Sequence, residues 1–170
     1  MPSGVQQDEG RKEEFIALYH ASYGKVASQL HAYLGNRAEA EDVAQEAFTR
    51  AWRQWSKISK YEDPIGWVRR VGWNIATSRL RRAMVAARVM RRQHNPRVVP
   101  EVDPNHVAIV AALRTLPARQ RRAVVLHYIA DLPIAEVAAE LDVPKGTVLS
   151  WLHRARAQLA AQLSSETHRR

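Results

Sequence analysis

Apolar residues recur along this chain at the period of helices, and no run alternates as a half-buried strand would. The clearest stretch is Leu132 to Leu163, LPIAEVAAELDVPKGTVLSWLHRARAQLAAQL. It predicts a first helix from about Ile134 to Leu141, with Val137, Ala138 and Leu141 on one face. Asp142-Val143 makes the turn, and Pro144 falls near the first position of a second helix, where a missing N–H costs nothing. At about 100° per residue, Val148, Leu152, Ala155 and Leu159 form one stripe. Thr147, Ser150, His153 and Arg154 lie opposite it. A short helix, a tight turn and a longer helix with a polar, basic back is the helix-turn-helix pattern, whose second helix suits the major groove of DNA. The plain alternative is a helical hairpin with a solvated basic face. Arginines on both sides of the stretch favour DNA.

The remaining chain divides the same way. A helix is expected from near Lys12, with Phe15, Ile16, Leu18, Tyr19, Val26, Leu30, Tyr33 and Leu34 at helical spacing and a stop at Gly35-Asn36. Ala38 to Trp55 predicts a second, with Val43, Ala47, Phe48, Ala51, Trp52 and Trp55 inward. Its acids Glu39, Glu41, Asp42 and Glu46 crowd the N-terminal half, where they complement the helix dipole. Ser56 to Pro64 reads as a loop. Ile65 to about Arg82 predicts a third helix, with Trp67, Val68, Val71, Ile75 and Leu80 inward and Arg69, Arg70, Asn74, Thr77, Ser78, Arg81 and Arg82 on a polar face. Trp67 and Trp73 fit either core anchors, the commoner role, or platforms on which unpaired bases stack. Gln93 to Pro104, with three prolines and no helical pattern, reads as a flexible joint. Beyond it, Val107, Val110, Ala111 and Leu113 predict one helix, stopped at Leu116-Pro117. Ala118 to Tyr128 predicts another, with Val124, Val125 and Tyr128 inward and Arg119, Arg121 and Arg122 placed to touch a DNA backbone.

The expected architecture is therefore all-α: two small helical domains joined by a flexible linker. Residues 1–11 are polar and read as disordered, 12–82 form the first domain, 83–104 the linker, 105–163 the second domain and 164–170 a tail.

Charge sharpens this picture. The 170 residues carry a formal net charge of +9, which points to a polyanionic partner. From Pro64 to Pro100 there are arginines at 69, 70, 79, 81, 82, 88, 91, 92 and 97 and no acid. A run like this is often only a solvated face. Its position, at the end of one helical unit and the start of a linker, favours phosphate contacts. Against that basic background the acidic second helix is a poor DNA face and a plausible protein face. With no cysteine and no HxxxH-type spacing of the seven histidines, a disulfide framework and a thiolate metal site are excluded and no metal or other cofactor is expected. No Gly-rich phosphate loop or nucleophile–base pair points to an enzyme or a small-molecule substrate. The N-terminus lacks a signal-peptide core and no apolar run reaches membrane-spanning length, so a cytoplasmic protein with no membrane segment is expected.

Three segments in this order resemble the bacterial RNA polymerase sigma factors of the extracytoplasmic-function (ECF) group, which retain a sigma-2 and a sigma-4 domain. EDVAQEAFTRAW (41–52) is similar to that family's D-x-x-Q-E-x-F helix. DPIGWVRRVGWNIATSRLRR (63–82) is similar to its W-[LV]-x-R-[IV]-x-x-N-x-x-x-x-x-x-R segment. The helix-turn-helix region from Leu116 to Leu159 completes the match, and the short linker with the DPIGWVRR wording looks most like an actinobacterial, SigE-like branch. The resemblance implies a factor that binds core RNA polymerase and directs it to promoter DNA, with no bond made or broken. It implies that Asp42, Gln45, Glu46 and Phe48 dock on the coiled coil of the largest polymerase subunit. It implies that the loop from Lys57 through Lys60 and Tyr61 to Asp63, with Asn74, captures a flipped base of melted −10 DNA while Arg69, Arg70, Arg81 and Arg82 hold phosphates. It implies that −35 duplex is read at Leu149, Ser150, His153 and Arg154, with Lys145 and Thr147 close by, and Arg119, already placed by its position to touch a DNA backbone, joins that set. Members of the group are often restrained by an anti-sigma factor, which the sequence leaves open for this chain. The alternative is a stand-alone helix-turn-helix regulator, which has no need of Asp42 or Gln45. Two positions depart from the family: Leu149 stands where Lys or Arg is usual and Trp151 where Arg is usual. Leu149 either meets a thymine methyl or contacts nothing.

Overall fold

The computed structural model describes residues 4–90 and 104–167, and every regular element among them is helical. They are α1 (Gly4–Leu34), α2 (Arg37–Arg53), the short α3 (Trp55–Ile58), α4 (Pro64–Met90), α5 (Pro104–Arg114), α6 (Ala118–Val124), a π-helical turn (Val125–Ile129), α7 (Ile134–Leu141) and α8 (Lys145–Thr167). The chain falls into two compact units, one of residues 1–30 and 36–92, the other of 93–170 together with 31–35. Arg91, Arg92 and Arg97, most of the proline-rich joint and the last residues of the expected tail lie outside the described residues. No described helix is long and apolar enough to cross a membrane.

In the first unit, α1 starts at Gly4 and not near Lys12, so residues 4–11, expected to be disordered, are helical. Its opening turns bury nothing from Gln6 to Glu14, which is why apolar spacing gave no sign of them. Gln, Glu, Arg and Lys are good helix formers, and a helix already nucleated by its packed part extends one hydrogen bond per residue. The stop at Gly35 is as expected: its φ is 74°, a left-handed value that glycine adopts without strain. Asn36 then caps α2, its side-chain oxygen accepting the Glu39 N–H at 3.0 Å.

Small residues bring α2 and α4 close together. Ala40, Ala44, Ala47 and Ala51 of α2 are fully buried, at steps of three and four residues. Against α2 lies α4, with Val68, Gly72 and Ala76 buried at four-residue steps. A Cβ on Gly72 would sit 3.7 Å from the Ala47 Cβ and 3.5 Å from a Leu30 methyl carbon, ordinary van der Waals contact.

The expected loop before α4 holds most of α3 and a tight turn, and Asp63 near its end is a cap. Asp63 Oδ1 accepts the Gly66 N–H at 2.8 Å, with Pro64 opening the helix between them. Rather than stopping near Arg82, α4 runs on to Met90, so the first part of the expected linker is helical. Ala83, Met84, Ala86, Ala87 and Arg88 are strong helix formers and need no partner surface to stay helical.

In the second unit, Val148, Leu152 and Ala155 of α8 are buried as the stripe predicted. Gln158 and Gln162 extend the attachment by donating to Thr115, at 3.2 Å to its carbonyl and 2.7 Å to its hydroxyl. The helix expected over 118–128 loosens after Val124 into the π turn, where the Ala130 N–H reaches the Val125 carbonyl at 3.0 Å. That extra residue rotates Tyr128 outward; it is 47% exposed and not packed inward as its spacing suggested. His127 Nδ1 donates to the Leu132 carbonyl at 2.8 Å and closes the turn. Two aspartates bracket α7 in the left-handed region, Asp131 at φ 55° and Asp142 at φ 52°. Asp142 ends α7, and its N–H and that of Val143 bond back to Ala139 and Ala138.

Replacing Gly72 by alanine should stabilise the first unit by about 0.5–1 kcal/mol, because the methyl fits and the helix gains propensity. Gly72→Leu should destabilise it by about 1–3 kcal/mol through overpacking. Urea titration followed by tryptophan fluorescence reads both, and equal effects of the two substitutions would contradict the close approach of α2 and α4.

Candidate functional site

The acids of α2 divide by position. Asp42, at 79% side-chain exposure, and Gln45 stand out from the helix. The Gln45 amide oxygen accepts a long bond from the Tyr19 hydroxyl, 3.4 Å. Glu46 is held between two cations, Arg50 one turn on and Arg79 of α4 at 3.1 Å. Arg79 also reaches Asp42 at 3.7 Å. Arg79 therefore belongs to the acidic face, not to a phosphate belt as the uninterrupted arginine run suggested.

Phe48 does not join this face. Its ring is 2% exposed, enclosed by Phe15, Tyr19 and Tyr23 at centroid distances of 6.5, 5.1 and 5.8 Å. A docking contact by Phe48 is thus corrected to a core role, in which it seats α2 on α1. Trp52 does the reverse. Expected inward, it is 41% exposed, with its ring tilted against Phe15 at a centroid distance of 5.1 Å. The signal was present in the spacing: Trp52 lies about 100° from the middle of the buried alanine stripe, at the edge of the helix's apolar arc.

On α4, Arg70, Asn74 and Arg81 are exposed and recur at steps of four and seven, with Arg88 seven further on. That spacing puts all four on one stripe. Arg79 falls about half a turn away, on the side that meets α2. Arg82 is exposed, its Nε donating to the Ser78 carbonyl at 3.4 Å, and Arg69 is half-buried off the stripe. Lys57, Lys60 and Tyr61 are exposed in α3 and the turn that Asp63 ties to α4. Trp73, 1% exposed, is a core anchor and no stacking platform; Trp67 is half-buried. Tyr61 is left as the exposed aromatic beside the two lysines.

In the second unit, Lys145, Leu149, His153 and Arg154 of α8 are exposed, and Thr147 and Ser150 half-buried. Trp151 is half-buried too, and Arg119 is exposed on α6. Arg121 and Arg122 are not backbone contacts as the sequence suggested. Arg121 is buried and donates to the Leu116 and Arg114 carbonyls at 3.2 and 3.3 Å. Burial lowers the pKa of both guanidiniums, and the Glu140 carboxylate partly offsets this for Arg122.

Comparison with known proteins accounts for both units. Residues 18–85 match the family model for Sigma-70 region 2, and residues 106–159 the model for Sigma-70, region 4. An RNA polymerase sigma-E factor of Streptomyces avermitilis is 32% identical, covering 90% of this chain and 85% of that protein. The ECF RNA polymerase sigma factor SigW of Bacillus subtilis is 29% identical over 93% of each. This chain is an ECF sigma factor. Its fold is that of the sigma factor RpoE of Bartonella quintana, solved in complex with the anti-sigma factor NepR: TM-score 0.77 at 19% identity, over 89% of this chain and 98% of that one. Region 2 takes in most of α1 and α2 to α4; region 4 takes in α5 to α8, including the helix-turn-helix.

Within the sigma factor's region 2, Arg79 and Glu46 should behave as a coupled pair. A double-mutant cycle with Arg79→Ala and Glu46→Gln should give about 0.5 kcal/mol of coupling, modest because both side chains are partly solvated, and it should shrink as salt is raised. Coupling of zero at low salt would mean the two do not meet in solution.

Proposed function

We propose that this sigma factor grips core RNA polymerase with the exposed side of α2 and addresses two promoter elements with its two units. Asp42 and Gln45 make the docking face, with Trp52 as its apolar edge and Glu46 held in place by Arg79. The −10 element, once melted, meets Arg70, Asn74 and Arg81 on the open stripe of α4, with Arg69 and Arg82 beside it and Lys57, Lys60 and Tyr61 at its N-terminal end. Asn74 suits a base edge because its amide both donates and accepts. The −35 duplex meets the N-terminal half of α8 through Lys145, Thr147, Leu149, Ser150, His153 and Arg154, with Arg119 on phosphate.

One observation supports this most: the charges of α4 are sorted by face. Arg79 turns to the acids of α2, while Arg70 and Arg81 stay open to solvent. A stand-alone regulator would use the same α7 and α8 but would have no use for the open Asp42–Gln45 surface. The mechanism is recruitment and positioning, with no covalent step, and it operates in the cytoplasm, where the polymerase is. The Streptomyces relative supports an actinobacterial branch. An anti-sigma factor, the class of partner with which the Bartonella quintana protein was solved, is proposed as the restraint on this one.

Asp42→Arg should cut co-purification with core polymerase by at least about tenfold, as expected of a charge reversal at an interface hot spot. The circular dichroism spectrum should be unchanged, since Asp42 is almost fully solvated. Undiminished association would remove Asp42 from the interface. Arg154→Ala should weaken holoenzyme binding by about 1–3 kcal/mol at a single −35 position if Arg154 pairs with a guanine. A uniform loss across −35 sequences, with a salt slope lower by about one, would make it a phosphate contact instead.

A further inference from the structure

Leu149 is a large apolar side chain left in solvent on the helix that enters DNA. It is 55% exposed, while its neighbour Val148 is fully buried. Leu149 lies about a quarter turn from the middle of the Val148–Leu152–Ala155 stripe, so the core does not use it. Its neighbours one turn back are Lys145 and Gly146, and His153 is one turn on; all are exposed. A side chain added at Gly146 would meet nothing within 4 Å, so the space over that part of the helix is open. Leu149 thus has no apolar neighbour among these three and faces solvent.

The major groove presents hydrogen-bonding groups on every base edge and one apolar group, the C5 methyl of thymine. An apolar side chain laid against an amine or a carbonyl of a base strips it of water without replacing the bond, which is unfavourable. Laid against a methyl, it buries apolar surface on both sides. We propose that Leu149 is a specificity determinant of the −35 element, selecting thymine by its methyl group. The inference rests on α8 being the −35 reader and adds to that reading the chemical group that one of its residues recognises.

The test isolates one methyl group. Holoenzyme built with wild-type protein first selects its −35 element from a duplex library randomised in that region. Each thymine of the selected element is then exchanged for deoxyuridine, which keeps every hydrogen-bonding group and removes only the methyl. One exchange should weaken wild-type binding by about fourfold, the worth of burying one carbon-sized apolar group. At that position Leu149→Ala should bind thymine and deoxyuridine equally, and Leu149→Met, which keeps an apolar side chain, should retain most of the difference. The proposal is overturned if no thymine is selected, if no exchange matters, or if Leu149→Ala keeps the wild-type sensitivity. Failure to enrich any −35 sequence, with holoenzyme formed, would instead overturn the −35 role of α8 and this proposal with it.

Discussion

Everything in the first unit follows from how close α2 and α4 can come. Four fully buried alanines on α2 meet a helix whose matching positions are Val68, Gly72 and Ala76. With alanines and a glycine at these positions, the two backbones approach closely and fix each other's rotation, since small residues interlock at short range and leave little room to slide. Two surfaces are thereby held on one rigid pair: the acids and Gln45 on the outer side of α2, and the Arg70–Asn74–Arg81 stripe on α4. Neither surface contributes to the core, and neither could keep its orientation if the alanines were bulkier.

Electrostatics then separates what packing has brought together. An excess of arginine on a helix beside an acidic helix invites indiscriminate pairing, which would neutralise both faces. Here Arg79 takes that role, bridging to Glu46 at 3.1 Å and Asp42 at 3.7 Å. Arg70, Arg81, Arg82 and Arg88 stay exposed to solvent, where a polyanion can replace their counterions. The same sorting recurs in the second unit: Arg121 and Arg122 are drawn inward to carbonyls and to Glu140, while Arg119, two residues away, stays outside.

Much of this was legible in the sequence because it is written in spacing and in punctuation. The Gly35 stop, the Asn36 start and the α8 stripe of Val148, Leu152 and Ala155 all stand where the pattern put them. The extents of α7 and of the turn at Asp142 did as well. Spacing was silent where a helix needs no core, so the first turns of α1 and the last turns of α4 went unseen. Residue type misled where an arc was wider than its partner surface. Phe48 and Trp52 are both aromatic and four residues apart, yet one is enclosed and the other open. Arginines were the hardest to place, because a guanidinium satisfied by main-chain carbonyls looks no different in sequence from one awaiting a phosphate. The positions proposed to touch polymerase and promoter are exposed for the most part, which is what such contacts require; their roles came from resemblance to a family and not from periodicity.

The two left-handed aspartates around α7 bear on how α8 is held. Glycine is the usual residue at such bends, and it would leave the chain free to swivel there. Asp131 at φ 55° and Asp142 at φ 52° instead reach the same shape with fewer alternatives open to them. The corners on either side of α7 therefore have fewer backbone states open to them than glycine corners would. In the proposed role of α8, corners with fewer alternatives would leave the helix less able to tilt toward an imperfect target, and selectivity would become a matter of pitch as much as of side chains.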